Sequence, residues 1–226
     1  MSAKGLQYSV LLACAAVASG GCSALDVLGS LDNQLKGSGR PASEARKVGD
    51  FDKIRDDGAA NLKILVGLPT GVKVEGDDNI VPFVKTSVEN GELIIKTKKN
   101  FRSKVKLLVT ITTPTLNTLQ LDGAGNISVN NAKADNFTIG LDGAGNVTAD
   151  GTVNSLTATI DGAGNLKLGS LKSRTATATV DGAGNIDVWA TDNLTATVDG
   201  VGNIRYKGSP QVQKSVEGVG RIEQRD

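Results

Sequence analysis

Histidine is missing from this chain of 226 residues, and cysteine stops at Cys22 after one earlier copy at Cys14. These absences exclude Ser-His-Asp triads, Cys-His pairs and imidazole-bound zinc from everything downstream, and leave that stretch without a disulfide of its own. Aromatic residues make up 3% of the chain, so sugar-stacking platforms have little material and a core must be built from Val, Ile, Leu and Ala. Neither sign of charge prevails, with 25 Lys and Arg against 24 Asp and Glu. Net charge therefore points to no polyanion, and nucleic acid is not an expected partner.

Glycine is plentiful, at 28 residues, and it is ordered. One phrase occurs six times: LDGAGNI from 121, LDGAGNV from 141, IDGAGNL from 160, VDGAGNI from 180, VDGVGNI from 198 and VEGVGRI from 216. Its acidic residue falls at Asp122, Asp142, Asp161, Asp181, Asp199 and Glu217, in steps of 20, 19, 20, 18 and 18. A period near twenty marks a repeat architecture, whose units cannot bury a core alone and do so by stacking.

Apolar and polar residues alternate on both sides of each phrase, as in Leu119 and Leu121 before the first and Ile127 and Val129 after it. Period two predicts strands with one buried face, and threonines such as Thr157, Thr159, Thr177 and Thr179 at the outward positions suit a pleated surface. Between two such strands the glycine pairs Gly123 and Gly125, Gly143 and Gly145, Gly162 and Gly164, Gly182 and Gly184, and Gly200 and Gly202 read as a corner. Glycine adopts φ > 0 at little cost, and the following Asn tolerates that region better than most residues. The fold class expected is all-β, a parallel β-helix-like solenoid with about six C-terminal coils of 18–20 residues and a strand-rich N-terminal part. An antiparallel array with each phrase as a hairpin loop is the competing arrangement. Inward residue classes recurring at the same offsets favour stacking in register.

Residues 1–22 read as a lipoprotein-type signal peptide: Lys4, an apolar run from Val10 to Ala18, then Ala18-Ser19-Gly20-Gly21-Cys22, with Cys22 the residue to be acylated. Secretion after Ala16-Val17-Ala18 and a retained membrane anchor are the alternatives. Residues 23–47 are small and polar and read as a flexible tether. Within them Leu25, Val27, Leu28, Leu31 and Leu35 have the spacing of a short amphipathic turn. Residues 48–115 are expected to be a strand-rich part of the solenoid, with turns at Asp77-Asp78-Asn79 and Glu89-Asn90-Gly91, and 116–226 the repeat solenoid. The cluster Lys96, Lys98, Lys99, Arg102, Lys104 and Lys106 around Phe101 reads as a solvated strand face with edge-protecting lysines, against contact with anionic lipid or polysaccharide. Trp189 and Tyr206 read as rim and cap packing.

The strand signals near Phe51 to Ile54, the Asn90-Gly91-Glu92-Leu93-Ile94-Ile95 and Thr113-Pro114-Thr115-Leu116 segments, the run of Gly-x-Gly phrases and the ending Tyr206-Lys207-Gly208-Ser209-Pro210 with Gly218-Val219-Gly220-Arg221-Ile222 resemble the head GIN domain family. The resemblance covers about residues 48 to 226. It implies a parallel β-helix-like solenoid in an exported envelope protein, described as an autotransporter adhesin and without an established reaction. The family's usual serine before the first glycine is here Asp or Glu in all six copies.

Stacked in register, neighbouring carboxylates would lie ~5 Å apart and repel by roughly 3 kcal/mol at an effective dielectric of 20. Each acid is expected to accept hydrogen bonds from backbone N–H groups of its own corner and face water. The other reading is a cation ladder, with Ca²⁺ held between rungs by Asp122, Asp142, Asp161, Asp181, Asp199 and Glu217. The repeated Asn126, Asn146, Asn165, Asn185 and Asn203 are expected to form an amide ladder. No catalytic residues, cofactor or metal are assigned. Together these readings describe a noncatalytic, extracytoplasmic lipoprotein, presenting a repetitive surface for adhesion or scaffolding. Its partners would be the membrane through its lipid anchor and an envelope polysaccharide or another envelope protein. A polysaccharide-processing β-helix enzyme, using paired carboxylates, is the alternative.

Overall fold

In the computed structural model, residues 34–225 are described. Cys22, the signal-peptide reading and the apolar positions Leu25 to Leu31 lie outside them. The chain runs through β1 (Leu35–Lys36), β2 (Pro41–Arg46), β3 (Lys53–Asp56), β4 (Asn61–Val66) and β5 (Gly71–Asp77), then a 3-10 turn at Val81–Phe83. It continues through β6 (Val84–Glu89), β7 (Glu92–Thr97), β8 (Phe101–Arg102), β9 (Leu108–Thr113) and β10 (Thr118–Leu121). The repeats form β11 (Ala124–Leu141), β12 (Ala144–Ile160), β13 (Ala163–Val180), β14 (Ala183–Val198), β15 (Val201–Lys207), β16 (Gln211–Val216) and β17 (Val219–Gln224).

Every pairing among the repeat strands is parallel, β11 through β14 each with the next, β14 with both β15 and β16, and β15 with β17, which is the solenoid and not the hairpin array. Register follows the phrase: Ala124 stands beside Ala144, Ala144 beside Ala163, and Ala163 beside Ala183. Five turns lie between the six phrases. The alternation holds in space, because Leu119, Leu121, Ile127, Val129, Ile139 and Leu141 and their equivalents are buried up to Ile204, while Tyr206 is half-buried against the core. Each row adds the same aliphatic residues to one continuous core. Differences in coil length are absorbed at shifts on the third side, such as that between Leu168 and Lys172.

Two walls meet at the glycine corner. The wall before it begins with β6, antiparallel to β7, and continues through β3 and β10 into the repeats. The wall after it begins with β2, antiparallel to β5, itself antiparallel to β9, and continues through β4 into β11. The Asn90-Gly91 turn joining β6 and β7 has φ of 53° and 76°, the left-handed pair that a two-residue hairpin loop requires. Part of the stretch assigned from composition to the flexible tether is strand-paired: β1 lies parallel to β8 and β2 covers β5. Their local sequence carries little strand signal. Asp77, closed off from solvent, fixes them instead by accepting from Gly39 N (2.6 Å), Ser103 Oγ (2.7 Å), Lys104 N (2.9 Å) and Val105 N (3.0 Å). These bonds hold its carboxyl down at about 2.

Candidate functional site: three columns along the corner

The corner residues stack into columns. Backbone N–H groups of each corner are consumed by the coil below: Asp142 N and Gly143 N both donate to Leu121 O (3.0 and 2.9 Å), and Ala144 N donates to Gly123 O (2.9 Å). The pattern repeats with Asp161, Gly162 and Ala163 on Leu141 and Gly143, and again up to Val219 on Gly200. The side-chain carboxylates therefore do not cap their own corners, since no donor there is left over. The expected capping role is corrected on this point.

The glycines also have a different reason. Of the ten, only Gly145 and Gly164 have φ between +20° and +160°, at 159° and 152°, the extended margin of that range. What all ten share is proximity: a methyl group at Gly143 would overlap Gly123 O, at Gly164 it would overlap Gly145 O, and at Gly202 Gly184 O. Successive coils approach backbone to backbone at the corner, leaving no room for a Cβ. Nor is the Asn left-handed; Asn126 and its equivalents lie within strands.

These asparagines form a continuous amide ladder on one side of the corner. Asn146 Nδ2 donates to Asn126 Oδ1 (2.9 Å), Asn165 to Asn146 (2.8 Å), Asn185 to Asn165 (2.9 Å) and Asn203 to Asn185 (2.9 Å). It extends one rung lower, where Asn126 Nδ2 donates to Asn61 Oδ1 (3.2 Å). That rung reveals a seventh copy, Asp57-Gly58-Ala59-Ala60-Asn61, which sequence reading missed. It stands directly beneath the first phrase, with Ala60 in place of the second glycine, yet 65 residues before it in the chain. The insertion carrying β5 to β9 breaks the period and hides it. The tripeptide Asp-Gly-Ala closed by Asn was the available signal.

On the other side stands the acidic column, with Ala124, Ala144, Ala163, Ala183, Val201 and Val219 forming an exposed ridge between the two. At its foot the acids are paired: Lys96 Nζ lies 3.2 Å from Asp57 Oδ2, and Arg55 Nη1 3.3 Å from Asp122 Oδ2. From Asp142 through Asp161, Asp181 and Asp199 to Glu217 the acids are exposed and have no ion-pair partner among the described residues. Burial raises the carboxyl of Asp161, and the carboxylates of Asp142 and Asp181 on either side raise it further. Among the described residues no three acidic groups are grouped so as to hold a metal ion; the acids meet as neighbours along a line.

A neighbouring column shows the contrast. Lys167, Asp187, Arg205 and Glu223 are register partners on the wall after the corner, with signs that alternate. Arg205 lies 3.4 Å from Glu223 and 4.0 Å from Asp187. Trp189 is flanked in the same way, by Lys207 Nζ 4.2 Å and Lys172 Nζ 5.6 Å from its ring centre, a cation–π stack at the rim.

Besides Asp77, a second carboxylate is buried, and it lies in the solenoid core. Asp56 occupies the inward column otherwise filled by Leu121, Leu141, Ile160, Val180 and Val198, directly above Ile95. It is closed off from solvent; one oxygen accepts from Gly58 N at 3.0 Å and Oδ2 has no partner. Burial pushes its carboxyl up to about 7. A separate open groove of about 940 Å³ lies on the third side, between Gly67, Pro114 and the Asn131 to Asp135 segment. Its lining contains one acid, Asp135, and no aromatic residue, so it lacks the carboxylate pair of a glycosidase.

Comparison with known proteins agrees with this architecture. No curated protein matches the chain. Among solved structures, an adhesin-described protein of Bacteroides fragilis matches with 29% identity and a TM-score of 0.70, over 84% of this chain and all of that one. One from Parabacteroides distasonis matches at 26% identity and a TM-score of 0.52, over 85% of this chain and all of its own. One from Parabacteroides merdae, at 20% identity and 0.52 over 86% of this chain and all of its own, shares the fold. The family model described as "Putative auto-transporter adhesin, head GIN domain" matches residues 50–210. The chain belongs to the head GIN domain family.

Proposed function

We propose that this protein is a noncatalytic envelope lipoprotein, anchored through Cys22, whose corner face serves adhesion or scaffolding. One observation carries the reading. The chain alternates sign down the Lys167 to Glu223 column, where opposite charges help stacking, yet keeps one sign from Asp142 to Glu217, where like charges oppose it. A cost repeated from Asp142 to Glu217, with no ion-pair partner among the described residues, belongs to a surface that meets something outside it. The adhesin description of the family and of its solved members supports an exported setting. The fitting partner is an envelope polysaccharide or another envelope protein, bound along the stacked coils.

The test is capture from intact envelopes, with cross-linking, by the parent chain and by a chain carrying Asp142→Ala, Asp161→Ala and Asp181→Ala. Loss of the captured partner in the triple variant supports the reading, and equal capture removes the column from it. A glycan array followed by analysis for released product separates binder from enzyme; release of product would overturn the noncatalytic reading. Cys22→Ala should leave the precursor unprocessed, or release it from membranes in high salt, because the acyl group supplies most of the membrane affinity. Normal processing and salt-resistant membrane association of that variant would dismiss the anchor.

A further inference from the structure

The eleven residues from Lys96 to Lys106 contain six cations and no acid. Lys96 is engaged with Asp57, while Lys98, Lys99, Arg102, Lys104 and Lys106 are exposed and have no ion-pair partner among the described residues. The acids packed against this segment are spent. Asp77 is filled by Ser103 Oγ and three backbone N–H groups, and Asp78 is taken by Arg40 (2.8 Å) and Ser38 Oγ (2.6 Å). Two pairs of cations are register partners: Lys36 stands beside Arg102 in the β1–β8 pair, and Lys85 opposite Lys96 in the β6–β7 pair. Cross-strand neighbours of like sign oppose pairing. Two strands of two residues each, β1 and β8, keep such a pair where an anion between them would turn repulsion into attraction.

Position decides which anion. Leu35 N donates to Asn100 O at 3.0 Å and Gly37 N to Arg102 O at 2.9 Å, so the chain enters the described domain in the midst of this basic segment. The twelve residues from Cys22 to Asn33 reach at most about 40 Å when extended. A Cys22 held at a membrane therefore keeps the segment within reach of the headgroups. We propose that Lys36, Lys98, Lys99, Arg102, Lys104 and Lys106 form a docking surface for an anionic lipid membrane, which sets the end of the solenoid bearing β6 to β8 against the bilayer. Polybasic segments beside an anchor gain affinity from each cation brought to an anionic surface. The surface extends the anchor reading but does not need acylation to act.

The test uses the full chain carrying Cys22→Ala, so that no acyl group contributes. It should sediment with phosphatidylglycerol-containing vesicles and not with phosphatidylcholine vesicles, and lose that binding in high salt. Adding Lys98→Gln, Lys99→Gln, Arg102→Gln and Lys104→Gln should weaken binding by roughly a hundredfold at an unchanged melting temperature. Lys172→Gln with Lys214→Gln, in the later strands β13 and β16, should leave it unchanged. Equal sedimentation with both lipids, or undiminished binding by the four-site variant, would overturn the proposal. So would binding to a soluble anionic polysaccharide without binding to the vesicles. Cell fractionation of Cys22→Ala reports on the anchor alone, so the two readings fail separately.

Discussion

Gly164 and Gly169 stand five residues apart in one strand, and they separate two reasons for being glycine. A Cβ at Gly164 overlaps the carbonyl of Gly145 in the coil below, whereas a Cβ at Gly169 meets nothing within 4 Å. Gly164→Ala should cost roughly 2–3 kcal/mol by forcing two coils apart, and Gly169→Ala no more than about 0.5 kcal/mol. Thermal melts of the two variants check this; equal losses would mean that corner proximity is not the constraint. Asp56 gives a residue-scale pH effect of unusual sign. Its folded carboxyl titrates at about 7 against an ordinary 3.8, so the native state binds the proton more tightly than the unfolded chain. Its stabilising contribution is complete below the ordinary value and is lost as pH rises through 7. Acidification from pH 8 to pH 5 should thus favour folding by roughly 3 kcal/mol from this group. Asp56→Asn should flatten that dependence and melt higher than the parent at pH 8; parallel pH profiles for the two proteins would refute the assignment.

At the scale of elements, the amide ladder ties consecutive strands together, and its middle rungs each give and receive a bond. Asn165→Ala removes the partner of Asn185 Nδ2 and of Asn146 Oδ1 at once, and should cost about 1–2 kcal/mol by chemical denaturation. Asn203→Ala removes one rung bond below it and should cost less. A larger loss at Asn203 would place the ladder's weight elsewhere. The repeat strands were legible in sequence because in-register stacking forces one residue class per column, and Leu119, Ile139, Ala158, Ala178 and Ala196 display it openly. Less was legible where long-range contacts decide. β1 and β2 are held by Asp77 and Asn79, some forty residues away, and nothing in Leu35-Lys36 or Pro41–Arg46 announces strands. The Asp57 to Asn61 corner was hidden by the insertion between β4 and β10. The role of the acids was misread because the spare corner donors assumed for them are used by Leu121, Leu141 and their successors.

Over the whole molecule, near-zero net charge conceals a strong separation. Among the described residues, one end of the solenoid carries the cations from Lys98 to Lys106 without ion-pair partners, while the corner from Asp142 to Glu217 carries acids without them. A solenoid docked at its basic end would keep the unpaired acids, which begin at Asp142, off an anionic bilayer. The proposed role of this column in contact with a partner requires that it lend the fold no stability. Exposed acids ~5 Å apart repel by roughly 1 kcal/mol or less per pair once water and salt screen them, so removing them should help stacking. The most direct measurement is the melting temperature of the Asp142→Ala, Asp161→Ala, Asp181→Ala chain beside the parent, each with and without millimolar Ca²⁺. The account predicts that the variant melts a few degrees higher and that calcium moves neither protein. A lower melting temperature for the variant, or a calcium-dependent rise in the parent that the variant lacks, would make the column a structural or metal-binding element and contradict the claim.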